Sequence, residues 1–312
     1  MLSSKDFIPL MVPDINQQDI DTVVDVLRSG NLVQGEKVLE FEKQIATYLG
    51  VKHAVAVSNG TASLHLALLA LGVGIGDEVI VPAFSYIATA NVVELVGAIP
   101  IFVDIDLETY NIDTSQIESK ITSKTKVIMP VHEFGLACNI SEIMKIASKY
   151  NLKVIEDAAC ALGAMENNIF AGTFGEIGSF SFHPRKNITS GEGGMLVTNS
   201  DELADKFRVL RNHGISMATG KMEFVEAGFN YRMTDFQAVL VLSQMERLDK
   251  IIETKQKLAS IYIENLKENK NIQLPIVPKN KNHKWQSFHI LIDEINRDEL
   301  IKKLKKNGIG TN

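Results

Sequence analysis

Short apolar, β-branched runs alternate with amphipathic helical stretches through the first three quarters of this chain, and that alternation limits the fold more than any other feature. His53–Val57, Glu78–Val81, Pro100–Val103, Lys126–Met129, Lys153–Glu156, Ser179–Phe182 and Met195–Thr198 read as strands. Thr61–Leu71, Ser141–Lys149 and Glu202–Arg211 read as helices between them. Most of these strands are apolar on both faces, so helices must cover both sides of the sheet. The expectation is an α/β fold built from βαβ units, with a mainly parallel central sheet flanked by helices.

The pattern changes near residue 246. Arg247–Lys270 reads as a long charged helix, Ile272–Val277 and Trp285–Ile292 as strands, and Arg297–Lys306 as a helix capped at Gly308. This parses the chain into a large α/β domain over residues 1–245, N-terminal segment included, and a smaller α+β domain over residues 246–312. The 312 residues suffice for both cores. Met1–Asp14 is expected to pack against one of the two domains, with the sequence leaving open which.

Composition narrows the partners. Lys and Arg number 32 against 38 Asp and Glu, a net charge of −6, so no basic field invites nucleic acid or an anionic membrane. A hydrophobic fraction of 45% argues against disorder. Two cysteines, Cys138 and Cys160, cannot build a disulfide framework and suit a reducing compartment. The longest stretch free of Asp, Glu, Lys and Arg, Ala54–Gly76, is broken by Ser58, Asn59, Thr61, Ser63, His65 and several glycines, which a membrane span would not tolerate. Met1–Phe7 carries Lys5 and Asp6 and no apolar core, so it does not read as a signal peptide. A soluble cytoplasmic protein is expected.

Ligands of open parallel sheets bind outside the carboxyl ends of the strands, and four polar segments follow predicted strands. Ser58-Asn59-Gly60-Thr61 could cradle a phosphate on helix amides, or be an ordinary capped turn. Glu156-Asp157-Ala158-Ala159 could present a carboxylate to a protonated ring nitrogen, or cap a helix. Ser181–Ile188 leads into Gly191-Glu192-Gly193-Gly194 and holds Lys186, which partial burial would make an imine-forming nucleophile; a solvated surface lysine is the plainer reading. Pro82–Thr89 offers Phe84 and Tyr86 as stacking faces or as core aromatics. Together, a phosphate cradle, a stacking aromatic, a carboxylate and a lysine meet the requirements of pyridoxal 5'-phosphate (PLP).

The same segments, in this order and with Gly228-Phe229-Asn230-Tyr231-Arg232-Met233-Thr234 and Phe236-Gln237-Ala238 downstream, resemble the DegT/DnrJ/EryC1/StrS sugar aminotransferases of fold type I. The resemblance runs from about Ile8 to Asn312. It implies that Lys186 carries PLP and moves protons, that Asp157 pairs with the pyridinium nitrogen, and that Tyr86 lies over the ring. Gly60, Thr61 and Ser181 would hold the phosphate. Asn230 would reach the phosphate of a neighbouring subunit in a homodimer with shared sites, with Arg232 serving the substrate or the dimer contact. The implied reaction passes the amine of glutamate through pyridoxamine 5'-phosphate (PMP) to a keto group of a nucleotide-linked deoxysugar, as in surface-glycan biosynthesis. Relatives acting on cyclitols or other ketones share the motifs, and a PLP-binding remnant of little activity is the non-catalytic alternative. Lys186 argues against the branch of dehydratases in which histidine replaces the lysine.

Two departures stand out. Cys160 occupies the last position of the family's Asp-x-x-His/Gln, which implies retained cofactor binding with altered tuning, or a small core filler in its place. Family members also continue past Gly308-Ile309-Gly310-Thr311 into a His-Tyr-containing segment, whereas this sequence stops at Asn312. The resemblance therefore implies an incomplete small domain, with cofactor chemistry kept and sugar affinity reduced.

Overall fold

The structure, a computed structural model, describes residues 7–292 and 296–312; Met1–Asp6 of the N-terminal segment lie outside the described residues. Seven strands form the central sheet: β1 (His53–Val57), β2 (Glu78–Pro82), β3 (Ile99–Val103), β4 (Thr125–Ile128), β5 (Lys153–Asp157), β6 (Ile177–Ser181) and β7 (Gly194–Thr198). Their order is β1-β7-β6-β5-β4-β2-β3. β7 pairs antiparallel with both β1 and β6, and the other pairs are parallel. The α/β expectation holds, with strand ends within two residues of the predicted ones.

Helices cover both faces. In chain order they are α1 (Gln17–Ser29), α2 (Glu36–Leu49), α3 (Gly60–Ala70), α4 (Ala88–Leu95), α5 (Ile140–Tyr150), α6 (Asp201–Arg211), α7 (Asp235–Met245), α8 (Leu248–Leu266) and α9 (Arg297–Lys306). On one face Val38, Phe41 and Ile45 of α2 pack with Ala54, Ala56, Phe180 and Met195. On the other, Leu64 and Leu68 of α3 and Phe207 of α6 meet Val55, Val57, Ile155 and Leu196. Alternate residues of one strand thus enter different cores, as period-two geometry demands.

One buried ion pair locks α2, β1 and α6 together. Glu42 Oε1 accepts from the Ala56 N–H (2.9 Å) and from Arg211 Nη1, which also donates to the Ala56 carbonyl (2.7 Å). α7 is fixed from its first residue: Asp235 Oδ1 accepts from the Gly35 (2.8 Å) and Val38 (3.1 Å) amides at the start of α2.

Beyond α8 the predicted strands are much reduced. Ile272–Gln273 pairs with Leu291–Ile292, and neither predicted run extends further. Pro275 and Pro278 lack the N–H that a ladder needs. Trp285 sits at φ 47°, which turns the chain out of extended conformation. This stretch pairs with the front of the chain instead: Lys281–Asn282 lies antiparallel to Met165–Glu166, and the Lys284 and Gln286 amides donate to Gly135 and Phe134 carbonyls (2.9 Å each). Ile8 pairs with the far end, donating to the Gly308 carbonyl (2.7 Å) and accepting from the Gly310 N–H (2.8 Å). Among the described residues no helix is long and apolar enough to cross a membrane.

Arg211→Ala leaves Glu42 buried without its cation. The expected loss of unfolding free energy is about 3 kcal/mol, read from urea denaturation; a loss below about 1 kcal/mol would contradict the locking role.

Candidate active site

The carboxyl ends of β1, β2, β4, β5 and β6 open onto one region, and β7, running the other way, begins there. Asn59 caps α3 by accepting from the Ala62 N–H (2.8 Å), which leaves Gly60 and Thr61 in the first turn with amides toward the strand ends. The backbones crowd here. A Cβ on Gly60 would lie 2.9 Å from Ser181 Cβ, and one on Gly194 only 2.3 Å from the Asn59 carbonyl. Glycine at both positions lets β7, the Asn59–Gly60 turn and Ser181 approach this closely, which brings the Ser181 hydroxyl to the first turn of α3, where helix amides favour an anion.

Asp157 closes β5. It is 5% exposed, and its Oδ2 accepts from Thr89 Oγ1 (2.9 Å) at the start of α4, while Oδ1 accepts from the Ala159 N–H (3.2 Å). Ser85 Oγ and Thr89 Oγ1 are 2.8 Å apart, so the turn after β2 supports the same carboxylate. Burial raises the Asp157 pKa, and Thr89, the Ala159 amide and Lys186 oppose it. No helix follows Asp157, so the helix-cap reading of this motif fails.

Lys186 sits on the turn after β6, with its N–H on the His183 carbonyl (2.8 Å). Its Nζ donates to Cys160 Sγ at 3.0 Å. Burial works against its ammonium, but Cys160, Asp157 and Glu133 outweigh burial and raise its pKa above the ordinary lysine value. Burial pushes the Cys160 thiol up, opposed by Lys186. Lys186, Asp157, Cys160, Gly60, Thr61 and Ser181 thus gather at one end of the sheet, and the surface-lysine reading of Lys186 is excluded.

The remaining predicted residues lie apart from that cluster. Tyr86 is 81% exposed at the rim, whereas Phe84 packs with Tyr110 and Phe134, their centroids 6.0 and 6.1 Å away. The Gly228–Met233 stretch runs back to β1, where the Ser58 N–H donates to the Tyr231 carbonyl (2.8 Å). There Arg232 Nη1 donates to Asn212 Oδ1 (2.6 Å), and Asn230 is exposed.

Three groups escaped the sequence. Glu133, on the turn after β4, is buried and faces Asp157 and Lys186; burial and Asp157 push its carboxyl up to about 8. Lys255, on α8, donates to Asn187 Oδ1 (2.8 Å), and burial lowers its amine to about 8. His289 stacks on Phe134 (4.2 Å) and meets Tyr110 edge-on (4.4 Å), in the same ring cluster as Phe84. Glu133 stands five residues past the end of β4, too far for the strand-end signal to flag it, and Lys255 and His289 reach this region only through tertiary packing.

Residues 13–312 match the DegT/DnrJ/EryC1/StrS aminotransferase family. The chain belongs to that family. It is 44% identical over 279 residues to the GDP-perosamine synthase of Caulobacter vibrioides, spanning 88% of this chain and 75% of that protein. It is 39% identical over 321 residues to the UDP-4-amino-4-deoxy-L-arabinose–oxoglutarate aminotransferase of Shewanella sediminis, spanning 98% of this chain and 82% of that one. Spr1654 of Streptococcus pneumoniae, solved in PLP and PMP forms, superposes with a TM-score of 0.93 at 30% identity, over 98% of this chain and 83% of that one. The protein is accordingly a PLP-dependent aminotransferase of fold type I. The aminotransferase gathers at one end of its sheet the start of α3, the buried carboxyl of Asp157 and the amine of Lys186.

Gly194→Ala is expected to weaken PLP binding about tenfold or more through the clash with Asn59, measured by fluorescence titration. Unchanged affinity would place the phosphate elsewhere.

Proposed function

We propose that this aminotransferase moves an amino group from glutamate to the keto group of a nucleotide-linked deoxysugar, in two half-reactions at one site. The observation that carries this reading is the Lys186 amine beside the buried Asp157 carboxylate. The acceptor class is supported by the names of the GDP- and UDP-sugar relatives. The donor is supported by the oxoglutarate in one of those names, the keto acid left when glutamate gives up its amine.

When bound, the cofactor supplies an aldehyde for amine capture and a ring that withdraws electrons. Lys186 Nζ would hold it, and would be freed to act as a base once the amino donor is bound. Nζ then takes the proton from the donor's amino-bearing carbon and, in the second half-reaction, delivers one to the acceptor's carbon. Asp157, steadied by Thr89, keeps the ring nitrogen protonated. The Gly60 and Thr61 amides and the Ser181 hydroxyl bind the phosphate at the positive end of α3. Tyr86 covers the ring, and Cys160 lies against Lys186 with a weakly polar thiol.

A second copy completes the site in this reading. Tyr86 and Asn230 are both exposed in the single chain, where a partner can meet them, and Arg232 stands beside Asn230 to serve the substrate or the dimer contact. Residues 246–312 form the smaller domain and shape the acceptor side.

The test is spectroscopic. The purified protein with PLP is expected to absorb in the visible, to lose that absorbance on adding glutamate, and to regain it with oxoglutarate. Lys186→Ala should abolish the visible band. Bound cofactor that answers no amino donor would defeat the transaminase reading and favour a PLP-binding remnant.

A further inference from the structure

The turn after β4 brings a second carboxyl to Lys186. Glu133 is 6% exposed, and its Oε1 is buried with no hydrogen-bond partner among the described residues. The backbone around it is pinned: the Glu133 N–H donates to Asn111 Oδ1 (2.9 Å), and Phe134 sits at φ 54°, turning the chain sharply just past it. The groups whose fields act on the carboxyl are Asp157 from β5, Lys186 from the turn after β6, His132 from its own turn, and the Ser85 hydroxyl from the turn after β2. Cys160 also lies within its field.

His132 does not satisfy the orphan oxygen. Its Nδ1 accepts from the Cys138 N–H (3.1 Å), so Nε2 carries the proton and donates to Glu156 (2.9 Å). An unpaired buried carboxyl oxygen is costly, and an apolar side chain would fill a purely structural position at lower cost. Lys186 Nζ has the complementary deficit, because its hydrogen bond ends on the Cys160 sulfur, a weak acceptor.

We propose that Glu133 is a positioning residue for Lys186: its carboxyl supports positive charge on the Lys186 nitrogen and aims that nitrogen at the cofactor. The inference rests on the reading of Lys186 given above. Burial and the Asp157 carboxylate keep Glu133 protonated at neutral pH, and it becomes an anion as pH rises through about 8. That anion then stabilises positive charge on the Lys186 nitrogen.

Glu133→Gln keeps the shape and removes the titrating proton. The readout is the pH midpoint of the holoenzyme's visible absorbance, which follows protonation of the Lys186 nitrogen when it holds the cofactor. Asp157, His132 and Cys160 stay in place in the variant, so the difference reports Glu133. The midpoint should fall by about one unit, with kcat reduced and KM for the amino donor little changed. Glu133→Leu, which removes the carboxyl and leaves no unpaired oxygen behind, should move the midpoint the same way, and serves if Glu133→Gln does not accumulate. An unchanged midpoint in either variant, with glutamate turnover intact, overturns this inference alone. A wild-type protein without the visible band overturns it together with the reading of Lys186.

Discussion

The buried carboxylate of Glu156 is the point from which the geometry of the site is set. It is wholly buried and accepts four hydrogen bonds: from the amides of Gly172 (2.7 Å), Phe174 (2.7 Å) and Gly175 (2.8 Å), and from His132 Nε2 (2.9 Å). A carboxylate is stable inside a protein only with such a full set of donors. Satisfying it ties the loop before β6 to the turn after β4. Since successive strand residues point to opposite faces, Glu156 on one side leaves Asp157 on the other, held by Thr89. Structural support and cofactor chemistry thus come from adjacent residues of one strand.

The rest of the site follows from strand order. With β6 beside β5 and β7 beside β6, Ser181 and Lys186 lie next to Asp157, and Gly194 starts β7 against the Asn59–Gly60 turn. Absent side chains at Gly60 and Gly194 matter as much as the polar groups, because they let Ser181, β7 and the Asn59–Gly60 turn pack against one another. Phe84, Tyr110, Phe134 and His289 form one ring cluster, with Tyr110 and Phe134 at φ 59° and 54°; backbone in this region is costly for large residues and is tolerated where surrounding packing imposes it.

The sequence carried most of the large domain because its signals are local. Seven apolar runs mark seven strands, and Gly60, Thr61, Asp157, Ser181 and Lys186 stand at or just past the carboxyl ends of three of them. Less was legible where contacts are distant in sequence. Ile272–Val277 and Trp285–Ile292 have strand composition, yet prolines and the left-handed Trp285 leave each only two residues of ladder. Glu133 reads as an ordinary loop carboxylate until β5 and β6 place Asp157 and Lys186 against it. Lys255 is one of several lysines on a charged helix, and only the packing of α8 brings it to Asn187.

Lys255 also supplies the sharpest challenge to the central claim, since burial lowers its amine to about 8 and it lies next door to Lys186. The direct measurement is borohydride reduction of the PLP-loaded protein followed by peptide mapping of the modified lysine. The account predicts a stable pyridoxyl group on Lys186. A pyridoxyl group on Lys255, with Lys186 unmodified, would contradict it.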